Sequence, residues 1–590
     1  MEAITPPKHL FSSWADDSSL IRKMDLWTSL CLGIILISVF TIIPHIRKPS
    51  RKLPSVNPGR LFDFFNQERK KGFLINARRI MEDARIQFPG QPYRLMTDVG
   101  ETVVIPPDLV HDIRNEPGLS FSKAFADNFH PQLNGFEGFA VGNRPDGLFQ
   151  LVIKKRITKL LSRFSLSITK LPSSYPTPHI ETPRYSNTPS RYLHDDADQI
   201  TEPLASETRF AVDHIFGKPT DWQEYNTKDT ILDLICRLSS RVFLGDEVCR
   251  DEAWLAITKS YTVNAFLGAE ILRPYPYWLR YAANLILPEC KTLRRQVSDS
   301  RDIIEPVLQK RRDARQQAIE RGEPAPKFND GIDWFEEESQ GREYDVVGAQ
   351  LGLSVVAIHT TTDLLVETML RIAENPELFD ALRKEIVEVL TAEGWKKTAL
   401  FNMKLMDSVL KESQRLKPVT SGKSLLLFPV TTGKYPPSTR RSPHQPAIMA
   451  RMATRQVTLP NGLKLQKGER CVGDLGKMHD PSIYPNPEAF NGYRFLEMRG
   501  DPKLDSQAHL VSTSPSHLGF GHGQHACPGR FFAGNELKIA LAHLLMKFDW
   551  KLTPGYEHQW QEWGFAWNSD STAKLLFRRR EAPEIDIDAI

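Results

Sequence analysis

Cysteine is scarce in this sequence: six of the 590 residues are cysteines, and no two of them form a Cys-x-x-Cys pair. The six are Cys31, Cys236, Cys249, Cys290, Cys471 and Cys527. This wide spacing argues against a disulfide framework and against a structural zinc module. A strong excess of one charge is also missing, since the net charge is +4 with 25% charged residues. Nothing therefore marks the chain as a nucleic-acid-binding protein, and it reads as a globular, enzyme-sized body.

Charged residues are absent from one stretch near the N-terminus, the 18 residues Leu26–Ile43. As a helix this stretch would be about 27 Å long, close to the hydrocarbon thickness of a bilayer, and we predict a membrane anchor. A cleaved signal peptide fits less well, because the run starts late and lacks a small-x-small cleavage site. The basic residues that follow (Arg47, Lys48, Arg51 and Lys52) place the C-terminal body in the cytosol.

The order of segments gives a domain plan. We predict an N-terminal lumenal tail (1–25), a transmembrane anchor (26–43), a Pro-rich basic linker (44–60) and a catalytic domain (61–590). Apolar residues recur at helical spacing in 78–88, 230–244, 298–322, 347–376, 376–395, 405–418 and 530–550. Strand signals are few: a hairpin over 93–107, and an Asn-Gly turn between alternating runs in 455–471. The predicted fold class is mainly α with small β-sheets.

The segment FGHGQHACPGRFF, residues 520–532, places Cys527 in a glycine-rich turn. A buried, inert thiol is the commonest fate of a free cysteine. Here, however, Pro528 suits the first turn of a helix that the apolar run from Phe531 continues, so the sulfur lies where backbone N–H groups favour a thiolate. Glycines at 521, 523 and 529 allow a flat ligand to approach the backbone. A thiolate with backbone donors aimed at it suits an iron ligand.

This segment resembles the haem-binding signature of the cytochrome P-450 family. The resemblance implies that Cys527 is the axial ligand of the haem iron and that Phe520, Gly523, His525 and Gly529 contact haem b. His525 stands where the family often has arginine, and it donates to a haem propionate with a full charge only when protonated. The implied co-reactants are dioxygen and NADPH, through an NADPH-cytochrome reductase.

The segment KESQR carries Glu412 and Arg415, which at i,i+3 share a helix face. The same spacing occurs at 82–85 and 247–250, where it alone means little. The resemblance adds Arg494, in PEAFNGYRF, as the third member of a buried structural cluster. Gly492 replaces a second proline that the family usually has there. Loss of Glu412 or Arg415 is expected to prevent haem incorporation rather than to slow turnover.

Three threonines interrupt a long apolar helix in VVAIHTTTD, residues 355–363. On residue type alone, each hydroxyl bonds back to a carbonyl one turn earlier. The run is also similar to the family's oxygen-binding groove, which implies that Ala357 is the small residue and Thr360 the catalytic hydroxyl that helps to deliver protons to dioxygen. His359 replaces the usual acid, and this His-Thr-Thr form is similar to that of a group of fungal cytochromes that includes ent-kaurene oxidases and other terpenoid oxidases. Asp363, three residues after Thr360 on the same face, stays open as a substitute.

Two Ser/Thr/Pro-rich inserts, 163–198 and 421–446, interrupt the resemblance. They are either tolerated surface loops or unspliced gene sequence, since Gly422-Lys423-Ser424 is what a fungal intron donor would encode. Upstream of the first insert, the family's propionate-binding tryptophan is missing, which leaves Lys154, Lys155 and Arg156 as candidates. Residues proposed to line the substrate pocket are Phe136, Phe139 and Leu148.

The expected function is that of a membrane-anchored monooxygenase at the endoplasmic reticulum, with its catalytic domain in the cytosol. The resemblance implies a hydrophobic, terpenoid or meroterpenoid substrate of fungal secondary metabolism, a reductase partner and the bilayer, without nucleic acid. Two alternatives stay open. One is a haem-thiolate desaturase or isomerase; the other is a haem-binding protein without turnover, inactivated by the 421–446 insert or by the missing acid before Thr360.

Overall fold

The computed structural model describes residues 53–59, 63, 66–158, 198–419 and 447–590. Contacts divide the chain into two units, residues 1–54 and 55–590, and the description below concerns the second. The predicted tail and anchor, most of the linker, insert 421–446 and residues 163–197 of the first insert lie outside the described residues.

Helices dominate the described part of the chain. In chain order they are α1 (Gln67–Gln87), α2 (Val110–Ile113), α3 (Phe121–Phe129), α4 (Glu137–Ala140), α5 (Leu148–Val152, continued as a π-helix over Ile153–Thr158), α6 (Asp198–Phe216), α7 (Thr227–Leu244), α8 (Glu252–Leu272), α9 (Arg280–Ile286), α10 (Pro288–Glu320), α11 (Gly331–Ser339), α12 (Val346–Glu374), α13 (Glu377–Glu393), α14 (Lys397–Asn402), α15 (Lys404–Leu416), α16 (Arg494–Met498), α17 (Asp505–Ala508) and α18 (Arg530–Lys547).

The strands are short and form small sheets. They are β1 (Tyr93–Thr97), β2 (Gly100–Ile105), β3 (Leu119–Ser120), β4 (Gln223–Asn226), β5 (Ala447–Ala453), β6 (Val457–Thr458), β7 (Lys464–Leu465), β8 (Arg470–Asp474), β9 (Phe548–Leu552), β10 (Trp560–Trp563), β11 (Ala566–Ser569) and β12 (Lys574–Arg579). The largest sheet has the order β1-β2-β8-β5-β3, with β2 and β8 parallel. The others are β4-β12-β9, β10-β11 and β6-β7.

Helix α12 lies at the centre of the main hydrophobic core and contacts α4, α7, α8, α10, α15 and α18. Its start is defined by Asp345, whose side chain accepts from the Gly348 backbone N–H at 2.9 Å. In the described part of the chain it is the one helix long and apolar enough to cross a membrane, but 83% of that window is buried inside the protein. It is therefore a core helix. The predicted anchor, residues 26–43, is a different segment and lies outside the described residues.

The predicted fold class, mainly α with small sheets, is confirmed for the described residues. The hairpin over 93–107 is β1–β2, and the Asn-Gly turn joins β6 to β7. Helix α8 was not predicted. Its buried residues, such as Leu255, Tyr261 and Ala265, lie on one face. Apolar residues such as Leu267 and Ile271 also occur on the opposite, less buried face, so the sequence shows no single apolar stripe of the kind that identifies a surface helix.

Candidate functional site

The loop that carries Cys527 is a tight turn that leads into α18. The Cys527 N–H donates to the Phe520 carbonyl at 2.8 Å, and the Ala526 N–H donates to the Gly523 carbonyl at 3.0 Å. Gly521 and Gly523 have φ values of +70° and +79°, which favour glycine. A Cβ at Gly523 would also lie 2.6 Å from Asn115 Oδ1, so the turn packs too closely on residues 114–115 for any other residue.

Cys527 is a partly buried residue close to the N-terminus of α18. Burial raises the pKa of the thiol, while the backbone N–H groups of Gly529 and Arg530 act in the opposite direction. A Cβ added to Gly529 would meet no protein atom within 4 Å. The loop therefore presents a sulfur with backbone donors beside a stretch of backbone that a flat group can approach.

A buried cation next to this loop has no carboxylate partner among the described residues. Arg451 on β5 is 3% exposed, and its guanidinium carbon lies 5.7 Å from the ring centre of Phe121. Burial lowers the pKa of Arg451 to about 10, and its Nε has no hydrogen-bond partner in the described chain. An unpaired buried charge is costly, so this site fits a ligand that carries a carboxylate.

His525 lies next to Arg451. Its ring centre is 6.1 Å from that of Phe121, and burial, Arg451 and Lys154 all lower its pKa. His525 is therefore neutral near neutral pH and can donate one hydrogen bond from its ring N–H. Sequence reasoning identified His525 but missed Arg451, because an isolated arginine in a strand after the 421–446 insert carries no motif.

Three basic candidates lie on the π-helical extension of α5. Of these, Lys154 is exposed, and its charge contributes to lowering the pKa of His525. The other two are engaged elsewhere. Lys155 Nζ lies 2.8 Å from a carboxylate oxygen of Glu338, and Arg156 bonds Glu338 at 2.7 Å. The expectation that any of the three could serve a propionate is therefore narrowed to Lys154.

Thr360 lies on an open face of α12. Its Oγ1 donates to the carbonyl of Val356 at 2.8 Å and to that of Ala357 at 3.2 Å, which is the back-bonding expected from residue type. Val356, one turn earlier, is 52% exposed in an otherwise buried helix. His359 points the other way: its Nε2 lies 3.1 Å from the Lys259 carbonyl, and burial lowers its pKa to about 4.

Asp363 does not take the place of the missing acid. It forms an ion pair with Lys417, and it accepts hydrogen bonds from the N–H and Oγ of Ser569, both at 2.8 Å. Burial acts to raise the pKa of Asp363, but Lys417 and Lys228 outweigh it and lower the pKa. A carboxylate held ionised in an ion pair is a poor proton donor, so Asp363 is excluded as the substitute.

The structure brings Glu412, Arg415 and Arg494 together. Arg415 donates to both carboxylate oxygens of Glu412 at 2.8 and 2.9 Å, and Arg494 Nε donates to Glu412 at 3.0 Å. The first two side chains are fully buried. The other two sequence pairs with this spacing do not form such bonds: Arg85 bonds Asp474 and Arg250 bonds Glu207.

Glycine at position 492 has a local reason. A Cβ there would lie 3.1 Å from Leu378 and 3.2 Å from Val409, and the Gly492 carbonyl accepts from Ser408 Oγ at 2.7 Å. The departure from the family pattern thus fits close packing of this loop on α15 and α13.

The three residues proposed for the substrate pocket lie in the core instead. Phe136, Phe139 and Leu148 are at most 2% exposed. Phe139 packs in an aromatic cluster with Phe125, Phe129 and Phe266, at ring-centre distances of 5.6, 5.0 and 5.3 Å. These side chains are structural in this conformation, because large aromatic rings gain most from complete burial.

Comparisons with known proteins agree with this geometry. The family model described as Cytochrome P450 matches residues 188–424 and 438–572, more than half of the chain. The cytochrome P450 monooxygenase hepE of Aspergillus oryzae is 39% identical over 572 residues, 96% of this chain and 93% of that protein. The cytochrome P450 monooxygenase eqxH of Fusarium heterosporum is 38% identical over 562 residues, 95% of this chain and 96% of that protein. The cytochrome P450 monooxygenase TRI1 of Fusarium sporotrichioides is 36% identical over 544 residues, 92% of this chain and 88% of that protein.

Proposed function

The chain belongs to the cytochrome P450 family and is a cytochrome P450 monooxygenase, and from this premise we propose that it oxidises an apolar, terpenoid or meroterpenoid intermediate of fungal secondary metabolism. Hydroxylation is the favoured outcome. The observation that carries the proposal is the Cys527 loop, in which a sulfur with backbone donors precedes α18 beside an open stretch of backbone.

The residues of the site fit haem b. Cys527 would ligate the iron, and Arg451, His525 and Lys154 would hold the propionates. The best evidence for this fit is the buried guanidinium of Arg451, whose Nε has no hydrogen-bond partner among the described residues. When bound, haem supplies the activation of dioxygen with two electrons from NADPH, delivered by a reductase.

The protein itself stabilises the thiolate, provides a hydroxyl for proton transfer and excludes water from the substrate side. Backbone donors around Cys527 stabilise the thiolate and adjust its electron donation. Thr360 holds a hydroxyl on the open face of α12, where it can pass a proton. The apolar side chain of Val356 beside it favours a hydrophobic substrate and excludes water.

The membrane and reductase partners rest on the sequence. The uncharged run 26–43 supports a single anchor in the endoplasmic reticulum, with the domain in the cytosol. A reductase would dock on basic residues at the face that carries the Cys527 loop, since complementary charge steers such encounters.

A haem-binding protein without turnover is the second candidate function. The two stretches that the family model matches leave out residues 425–437, inside the 421–446 insert, and this insert separates α15 from β5, the strand that carries Arg451. An interruption there bears directly on haem retention. If the insert is unspliced gene sequence, the working protein lacks it.

One experiment separates these functions. Residues 50–590, with and without 421–446, are expressed, reduced and exposed to carbon monoxide, and the Soret band is recorded; the transcript is sequenced in parallel. We expect a red-shifted, thiolate-type band at least from the shortened form, together with dioxygen-dependent NADPH use when a reductase is added. No such band from either form would contradict the assignment of Cys527. A band without NADPH use with any substrate would favour the binding-only function.

A further inference from the structure

The described part of α12 offers no free acid beside Thr360. His359 turns its ring toward the Lys259 carbonyl, and Asp363 is paired with Lys417. Monooxygenation nevertheless consumes two protons per turnover for each dioxygen molecule, by the balance of one substrate C–H oxidised to C–OH and one water formed. A proton source must therefore lie on another element that reaches α12.

Glu536 on α18 meets this requirement. Its side chain is fully buried, and Ser239 Oγ on α7 donates to its Oε1 at 2.7 Å. The hydroxyl of Thr361, the residue after Thr360, also bonds this carboxyl group, while Oε2 has no hydrogen-bond partner among the described residues. Burial raises the pKa of Glu536 to about 8, and the two hydroxyls only partly offset this rise. It is therefore a neutral acid at pH 7.

Charged groups on the neighbouring elements do not account for this state. Charged side chains on these elements are paired with other groups: Glu207 on α6 with Arg250, Lys538 on α18 with Asp407, and Asp363 on α12 with Lys417. His543 on α18 bonds the Ile539 carbonyl. No charged side chain contributes to the pKa of Glu536, so the carboxyl has no ion pair to hold it ionised and no structural salt bridge to explain its presence.

We propose that Glu536 is the proton source that α12 lacks, and that it acts on Thr360 through Thr361. The inference rests on the proposed function and names a positioning residue for it. Three elements meet at this carboxyl: Ser239 belongs to α7, Glu536 to α18 and Thr361 to α12. A buried acid between two hydroxyls is the arrangement expected of a relay, because each hydroxyl can accept one proton and donate another.

The step balances without any further reactant. Glu536 gives its proton to the Thr361 hydroxyl, whose own proton passes through a bridging water to Thr360 and on to the reacting oxygen. The resulting carboxylate takes a proton from the Ser239 hydroxyl; because Ser239 is itself fully buried, the proton that replaces it must travel from solvent to Ser239 through further groups or water. One proton moves from solvent to the site in each cycle, and no bond to carbon changes in the relay itself.

The first test compares Glu536→Gln with the wild type as haem-loaded proteins supplied with reductase. The amide keeps the shape and the Ser239 contact but gives up no proton. We expect an unchanged carbon monoxide band, continued NADPH use and a fall of about tenfold in product formed per NADPH, with more hydrogen peroxide. Coupling in the wild type should fall as the pH rises through about 8, and this pH dependence should vanish in the variant. Equal coupling and equal pH profiles in both proteins would overturn the proposal.

Two further variants separate a relay from a packing role. Ser239→Ala removes the donor to Oε1 and should reduce coupling, whereas Ser239→Thr keeps a hydroxyl and should restore it. Glu385→Gln is the matched control: Glu385 is a buried carboxyl on α13 whose pKa burial raises, but it accepts its hydrogen bonds from the Leu405 and Met406 N–H groups of α15. A loss of coupling in this control equal to that of Glu536→Gln would count against a relay.

The second test does not depend on turnover. Infrared difference spectra between pH 6 and pH 10 should show the carbonyl stretch of one buried carboxylic acid in the wild type that Glu536→Gln lacks and Glu385→Gln retains. A wild type without this band overturns the proposal. Failure of the proposed function would instead be visible in the wild type as a missing carbon monoxide band or missing NADPH use, so the two failures are distinguishable.

Discussion

At the scale of single residues, Arg451 makes the clearest demand for a carboxylate ligand. The side chain is 3% exposed and its Nε has no partner among the described residues. Hydrogen bonds to charged groups contribute about 1.5–3 kcal/mol. Arg451→Gln should therefore speed haem loss by roughly 10- to 100-fold, measured by haem transfer to an acceptor protein. The control is Arg455→Gln, which changes an arginine whose side chain is 65% exposed. Equal rates for the two variants would refute a propionate contact.

Thr360 makes a second prediction at the same scale. Thr360→Ala removes the hydroxyl from the open face of α12, and we expect product per NADPH to fall while the carbon monoxide band is kept. Thr362→Ala is the matched control, since its hydroxyl also bonds back one turn, to Ile358 at 2.8 Å, but lies buried. If both variants lose coupling alike, the effect comes from the helix and not from proton delivery.

At the scale of elements, the cluster of Glu412, Arg415 and Arg494 joins α15 to α16 and to the loop before it. Because all three are buried, Glu412→Gln leaves two guanidinium groups without their carboxylate and should cost about 3–5 kcal/mol of unfolding free energy. Haem content after expression should fall with it. Glu305→Gln breaks an exposed pair with Arg301 and should cost less than about 1 kcal/mol. Similar stabilities for the two variants would contradict a structural role for the cluster.

His558 ties the segment before β10 to the end of α12. Its Nε2 lies 3.2 Å from Glu367 and its Nδ1 lies 3.2 Å from Glu374. Burial alone would lower the pKa of His558, but Glu367 and Glu374 outweigh it and raise the pKa above the ordinary value of 6.5. A raised pKa in the folded state gives stability that is complete below pH 6.5 and is lost as the pH rises through the folded-state value.

The test is the difference in unfolding free energy between wild type and His558→Gln, measured by urea titration from pH 6 to pH 9. We expect the wild type's advantage to be largest at the acidic end and to shrink as the pH rises. Taking the difference cancels other groups that titrate in this range, such as Lys411, whose pKa burial lowers to about 7. A constant difference would mean that His558 is not charged in the folded protein.

At the scale of the whole molecule, the membrane-spanning candidate in the described chain, α12, is a core helix. The proposed membrane attachment therefore rests on the uncharged run 26–43, which lies outside the described residues. Removal of residues 1–49 should move the protein from the membrane pellet to the supernatant after ultracentrifugation, whereas a version with only residues 1–25 removed should stay in the pellet. A truncated protein that still requires detergent for extraction would contradict a single N-terminal anchor.

The sequence by itself determined the parts of the protein that depend on neighbouring residues. The Cys527 turn is one contiguous segment, and Thr360 belongs to one helical run. Glu412 and Arg415 are one helical turn apart, so their spacing alone brings these two side chains together. Mainly helical architecture followed from apolar periodicity for the same reason. Helix α8 was not predicted because apolar residues such as Leu267 and Ile271 also lie opposite its buried face, so no single apolar stripe marks it.

Only the tertiary structure decided which of several similar side chains are free to act. Asp363 resembled a substitute acid until Ser569, 206 residues away, and Lys417 were seen to hold it. In the sequence, Lys155 and Arg156 were as good candidates for a propionate contact as Lys154, but in the structure both bond Glu338. Arg451 and Glu536 belong to no motif that the sequence analysis used. The physical reason is that charge and proton affinity depend on burial and on partners far apart in the chain, and no local pattern encodes those.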